Sequence, residues 1–191
     1  EFGYVGAGLL VEECGRTLAS SPLLSSALVC SSLVAGLGSE EQKQAILPTI
    51  ASGELILTLA LNETTRSNPA ATGMVAVADG SDFVLSGNKV HVLDGMIAHK
   101  LRVVARTSGN PGDQAGLGLF VVDRDTDGLN ITATRNVDNR LVANLQFDSV
   151  RLGPEALLGE AGQCWSELER ALDIGAVCSA AELLGIAQES F

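Results

Sequence analysis

At Glu54 the spacing of apolar residues switches from helical to strand-like, and near Pro154 it switches back. A chain that changes period twice is committed to separate helical and sheet units rather than to one bundle or one sandwich. Before the switch, Leu9, Leu10, Cys14 and Leu18 recur at helical intervals. Ser20-Ser21-Pro22 then offers an N-cap with proline at the first helical position, and a nearly all-apolar helix follows through Leu24, Leu28, Leu33 and Val34. Ser39-Glu40-Glu41-Gln42 is a capping box, which starts a third helix carrying Ile46, Leu47 and Ile50.

After the switch, Leu55 to Leu61 is a continuous apolar run of the kind a strand buried on both faces shows. Seven short runs rich in Val, Leu, Ile or Phe come next, divided by Asp79-Gly80, Ser86-Gly87-Asn88, Asp94-Gly95, Asn110-Pro111-Gly112, Asp127-Gly128 and Asp138-Asn139. Turns at such intervals predict an antiparallel sandwich or barrel. From Trp165 helical spacing returns through Leu168, Leu172, Ala176, Leu183 and Ala187. The expected class is therefore α+β: an N-terminal helical segment over 1–53, a middle β-domain over 54–153, and over 154–191 the first helix of a C-terminal bundle. The Ala/Gly/Ser-rich face of that last helix is suited to close packing, and the chain offers no obvious helix to meet it. With a mean hydropathy of +0.27, this points to a fragment or to a partner-covered surface.

With 23 acidic and 12 basic residues the formal charge is 12 − 23 = −11. No basic patch exists to hold a phosphate backbone or an anionic membrane, so nucleic acid and lipid are not expected partners. Cys14, Cys30, Cys164 and Cys178 form no C-x-x-C pair and read as reduced packing residues of a cytoplasmic protein. The first residues lack the pattern of a signal peptide, and no apolar run approaches the roughly 20 residues of a membrane span. Nucleophile elbow, P-loop, H-E-x-x-H and dinucleotide fingerprint are all missing. His91 and His99 lack companions at ligand spacing, so no metal site is expected.

The order of several phrases is more informative. Val11-Glu12-Glu13-Cys14-Gly15-Arg16, Gly38-Ser39-Glu40-Glu41-Gln42-Lys43 and Leu47-Pro48-Thr49-Ile50-Ala51-Ser52-Gly53-Glu54 are followed by Ala60-Leu61-Asn62-Glu63, Leu85-Ser86-Gly87-Asn88-Lys89, Ala156-Leu157-Leu158-Gly159 and Gly185-Ile186-Ala187-Gln188. In sequence and spacing this resembles the acyl-CoA dehydrogenase family. The resemblance implies FAD as cofactor and α,β-dehydrogenation of an acyl-CoA thioester, in which a carboxylate takes the α-proton and flavin N5 takes the β-hydride. It implies cofactor contacts at Leu59, Leu61 and Asn62, at Ser67 and Asn68, and at His91 and Leu93, with Asn68 and Asp173 on the substrate.

The chain also departs from the family pattern. The glycine-rich loop that follows the family's Thr-Glu-Pro is here Thr64-Thr65-Arg66-Ser67-Asn68-Pro69, with both glycines gone. The family's Trp-x-Thr or Trp-x-Ser becomes His91-Val92-Leu93. Where some members carry the catalytic carboxylate this chain has Gly175, and the family's next-door arginine is Ala176. No catalytic base is therefore expected in the chain; it should lie C-terminal of Phe191. The resemblance implies a homo- or hetero-oligomer, and an electron-transfer flavoprotein is a further candidate partner. Two alternatives remain: a non-catalytic or half-site subunit, like the one with an eroded flavin loop in heteromeric steroid-CoA dehydrogenases, and an oligomerisation or scaffold module without flavin.

Overall fold

Ser39 starts its helix as the capping box predicts, accepting from the Gln42 N–H at 3.2 Å while the Gln42 side chain accepts from the Ser39 N–H at 2.9 Å. In the computed structural model, which describes residues 3–191, the helices are α1 (Gly3–Thr17), α2 (Leu23–Leu37), α3 (Glu40–Ala51) and α4 (Trp165–Ser190). Glu1 and Phe2, the start of the expected N-terminal segment, lie outside the described residues. Proline is not the first helical residue of α2 as expected. Helical winding begins at Leu23, whose N–H is met by the Ser21 hydroxyl at 3.2 Å, and the stretch Leu23–Cys30 is wound as a π-helix.

Eight strands form the sheet unit: β1 (Leu57–Ala60), β2 (Val75–Asp79), β3 (Asp82–Val92), β4 (Lys100–Arg106), β5 (Leu117–Asp123), β6 (Leu129–Arg135), β7 (Leu141–Leu152) and β8 (Leu157–Leu158). Their order is β6-β7-β3-β2-β4-β5-β8, with β1 on β4. Two expectations need correcting. The sheet is not antiparallel throughout, because β1 pairs with β4 in parallel, Leu57 opposite Lys100 through Ala60 opposite Val103. Ser86-Gly87-Asn88 is no turn but the middle of the single long strand β3, opposite a register shift whose extra residue lies on β7. Gly87 sits at φ 143°, and a Cβ there would lie 2.8 Å from Met74 Cγ. The glycine that looks like punctuation is a site of close backbone approach.

Alternation along β4 divides the core. Leu101, Val103 and Ala105 face Phe120, Val122, Leu145 and Phe147 inside the sheet unit. Val104 faces the other way, into a layer with Leu33 of α2 and Leu168 of α4. Arg102 shares that outer face, has 0% exposure, and none of its three guanidinium nitrogens has a hydrogen-bond partner among the described residues. Burial lowers its pKa, with Cys30 and Asp123 opposing that fall. Arg106 is buried in a different way. Its side chain donates to the carbonyls of Thr72, Ala70, Asp113, Ala115 and Ser108, tying the loop before β2 to the loop after β4.

The small-residue face of α4 does find a helix, contrary to expectation, and α1 supplies it. Gly8 faces Ala181, Glu12 faces Gly185 and Arg16 reaches Glu189, so positions advance together along the two helices, which run parallel. A Cβ on Gly15 would lie 2.1 Å from the Glu182 carbonyl oxygen, and one on Gly185 would lie 2.0 Å from that of Glu12. Sequence distance hid this pairing. The outer sides of both helices stay exposed at Val5, Leu9, Val177 and Leu183. The statement that no run has membrane length also needs amending: α4 is long and apolar enough by length and hydropathy, 1.3 over its best window. Its small-residue face is packed against α1.

Candidate functional site

The C-terminal end of β1, the end of β3 and the middle of α4 converge on one cleft of about 240 Å³. Leu59, Leu61 and Asn62 reach it from β1 and the residues after it, His91 and Leu93 from β3 and the turn beyond, and Ser67 from the following loop. Six of the residues named from the sequence are thus brought together. The other two are placed elsewhere. Asn68 lines a neighbouring pocket of about 70 Å³ with Thr64 and Arg66, which shares Leu61 and Asn62 with the cleft. Asp173 is exposed on α4, because Leu172, Gly175 and Ser179 occupy the helix face turned to the cleft.

His91 reaches the cleft through an unusual backbone. Its φ of 56° is left-handed, rare for a residue without glycine's freedom, and it falls in the register shift between Lys89 and Val92. Its N–H donates to Asn144 Oδ1 of β7 at 3.2 Å, and Asn144 Nδ2 donates in turn to the Thr134 hydroxyl at 2.8 Å. Thr58, buried beside Leu59, donates its hydroxyl to the Leu93 carbonyl and fixes the far lip. His99, the other histidine, accepts the Ile56 N–H at 3.0 Å through Nδ1 and has a structural role at the start of β1.

Beneath Asn62 lies an ion pair that sequence reasoning did not assign to the site. Lys89, at 0% exposure, donates from Nζ to Glu63 Oε1 at 2.8 Å and to the Leu61 carbonyl at 2.9 Å. Glu63 also accepts the N–H groups of Gly73 and Met74 at 2.8 and 2.9 Å. Partial burial would raise the Glu63 pKa, but Lys89 and the two amides outweigh it and hold the carboxyl below its usual range. For Lys89 burial dominates and keeps the ammonium pKa below that of a free lysine, Glu63 notwithstanding. The pair locks the strand end that carries Asn62. A lysine inside the apolar β3 pattern, with a glutamate closing the β1 run, was the signal for it. The thiols contribute no reactive group here: burial pushes Cys30 and Cys164 up to about 12.

The cleft offers apolar walls and a few polar groups. Asn62 Oδ1 is buried and has no hydrogen-bond partner among the described residues, so it is an acceptor waiting for a donor. A flavin ring needs flat apolar surfaces and an acceptor for its ring N–H, and Leu59, Leu61, Leu93 and Asn62 match both needs. The residues present therefore fit the ring of FAD. Of the residues lining the cleft, none is a carboxylate, and Gly175 presents only backbone to it.

The N-terminal domain model of acyl-CoA dehydrogenases matches residues 1–54 and the middle-domain model matches residues 59–150. The human mitochondrial short-chain specific acyl-CoA dehydrogenase is 32% identical over 97% of this chain and 46% of its own length. Among solved structures, a variant of the Tcur3481-Tcur3483 steroid ACAD is 34% identical, with a TM-score of 0.80 over 98% of this chain and 47% of that one. The FAD complex of PigA shares the fold, with a TM-score of 0.88 at 20% identity over 98% of this chain and 51% of its own. The chain spans about half the length of the relatives it matches. With both family models in register and a relative above 30% identity along its whole length, this chain belongs to the acyl-CoA dehydrogenase family.

Proposed function

We propose that this chain forms the flavin-binding part of a cytoplasmic FAD-dependent acyl-CoA dehydrogenase, which introduces a double bond between the α- and β-carbons of an acyl-CoA thioester. The observation that carries the reading is the cleft where β1, β3 and α4 meet, with the unsatisfied Asn62 oxygen in its wall. When bound there, FAD supplies the hydride acceptor. Leu59, Leu61 and Leu93 would wall its ring from water, Asn62 Oδ1 would accept a ring N–H, and His91 stands where the family has tryptophan. Ser67 borders the cleft, while Arg66 and Asn68 next door offer a cation and an amide to the phosphates. The carboxylate that removes the α-proton comes from outside these residues, since none lines the cleft. The exposed apolar sides of α1 and α4 would be covered in a homo- or hetero-oligomer, and an electron-transfer flavoprotein would take the electrons from the bound cofactor. The partner-subunit and flavin-free readings are not favoured by the family relationships above.

The test is the visible spectrum of the full-length protein, purified alone and with any co-expressed partner. Bound flavin should be present and should bleach on anaerobic addition of an acyl-CoA, and H91W should retain flavin more tightly than the wild type. A preparation whose spectrum no acyl-CoA alters would defeat the proposal.

A further inference from the structure

The two-residue period of β3 breaks between Lys89 and Val92. Leu85 is buried in the sheet core, a Cβ on Gly87 would point at Met74 of the same core, and Lys89, fully buried, keeps that alternation. Val92 is in the core as well, although an unbroken strand would bring His91 there instead. Lys89 lies opposite Leu145 and Val92 opposite Ala143, so three steps on β3 span two on β7 and the extra residue is on β3. This bulge puts His91 and Leu93 in the wall of the cleft. Without it the strand would turn both into the core and leave Val92 facing the cleft.

A bulge frees backbone groups that the ladder would have paired, and each needs another partner. The Val90 N–H donates to the Asn62 carbonyl at 2.7 Å, which ties the bulge to the residues after β1. The His91 N–H donates to Asn144 Oδ1 at 3.2 Å, which ties it to β7. Asn144 Nδ2 donates to the Thr134 hydroxyl at 2.8 Å, so the carboxamide is held with its oxygen toward β3. Together these bonds keep His91 at φ 56°, a conformation that costs a residue with a side chain and persists only where its surroundings enforce it. Asn144 is not among the residues lining the cleft; it lines a separate polar pocket with Asn88, Val90 and Gln146.

Resting on the function proposed above, we infer that Asn144 is a positioning residue for the flavin site. Through one side-chain hydrogen bond it holds the bulge that turns His91 and Leu93 toward the cofactor, and Thr134 sets the direction of that bond. Asn144 acts on the ring only through β3.

Three measurements on the full-length protein test it: the Kd for FAD added back to the flavin-stripped protein, the visible circular dichroism of the bound flavin at saturating FAD, and hydrogen exchange at the His91 amide. N144L keeps the size of the side chain and removes the acceptor. It should raise the Kd roughly tenfold, alter the dichroism, and speed exchange at His91 by roughly tenfold or more. N144D keeps an acceptor oxygen for His91 and offers its other oxygen to the Thr134 hydroxyl, so its Kd should stay within about threefold of wild type. In an H91G background glycine occupies the left-handed region unaided, and there N144L should cost no more than about threefold. T134V, which frees the carboxamide to turn, should move all three readouts in the direction of N144L and serves if N144L fails to fold. An N144L or T134V protein indistinguishable from wild type, N144D as impaired as N144L, or equal flavin loss on N144L in the wild-type and H91G backgrounds overturns this inference and leaves the dehydrogenase reading intact. If the wild-type protein binds no FAD, the dehydrogenase reading falls and this inference falls with it.

Discussion

Replacing Lys89 by methionine keeps the volume of a fully buried side chain and deletes its charge, which isolates the ion pair beneath the cleft. Two charge-assisted bonds disappear, to Glu63 at 2.8 Å and to the Leu61 carbonyl at 2.9 Å. Breaking one partner of a buried pair costs about 3–5 kcal/mol when the survivor has no other support. Glu63 keeps the Gly73 and Met74 amides and is 24% exposed, so the lower end of that range applies. With a urea slope of about 2–3 kcal/mol per M, K89M should lower the unfolding midpoint of the full chain by about 1 M. Adding E63Q should recover part of the loss, because no unpaired charge then remains. The same variants should loosen Asn62 and weaken flavin retention, since Leu61 and Glu63 flank it in the chain. Equilibrium denaturation followed by circular dichroism reads the first effect and flavin absorbance the second. A K89M midpoint indistinguishable from wild type, or a double variant as unstable as the sum of the two single ones, would show that the pair does not hold the strand end.

Three further perturbations are separable from that one. G185A drives a Cβ into the Glu12 carbonyl and should cost about 1–3 kcal/mol, whereas G8A, whose Cβ would sit 4.0 Å from Ala181, should be neutral or mildly stabilising in thermal unfolding. R102M removes a buried guanidinium that has no partner among the described residues and should raise stability by about 1–4 kcal/mol, the reverse of most core substitutions. Glu63 titrates below its usual range in the folded chain, so its contribution is whole above the unfolded value of about 4.3 and fades as pH falls through the folded one. E63Q should therefore flatten the acid limb of the stability profile; an unchanged slope below about pH 4.3 would refute that assignment.

Local signals made the elements readable. The Ser39 capping box, the apolar run of β1 and the turn at Asp127-Gly128 each act within a few residues, and each is found where the sequence places it. What escaped was long-range. The α1–α4 contact joins residues 173 positions apart and leaves only three glycines as its trace, each of which also reads as a weak helix former. Gly87 misled for a related reason. Its neighbours Ser86 and Asn88 spell a turn, and only the nearness of Met74, invisible in the sequence, shows why a glycine is needed inside a continuous strand.

The site was legible in its residues and not in its boundaries. Leu59, Leu61, Asn62, His91 and Leu93 are implied by the family resemblance and meet in the cleft, although apolar alternation alone does not place His91, which falls in a register shift. Asp173 and Asn68 could not be sorted the same way. Whether Asp173 or its neighbour Leu172 meets the cleft depends on the rotation of α4, and that rotation goes with the close approach of Gly15 on α1 and Gly185 on α4, away from the cleft lining. Asn68 falls in the neighbouring pocket, which shares Leu61 and Asn62 with the cleft. The close helix contact thus does more than stabilise the bundle. By fixing which face of α4 turns inward it presents Gly175 and Ser179 to the cleft, so a substitution at Gly185 should weaken flavin retention as well as stability.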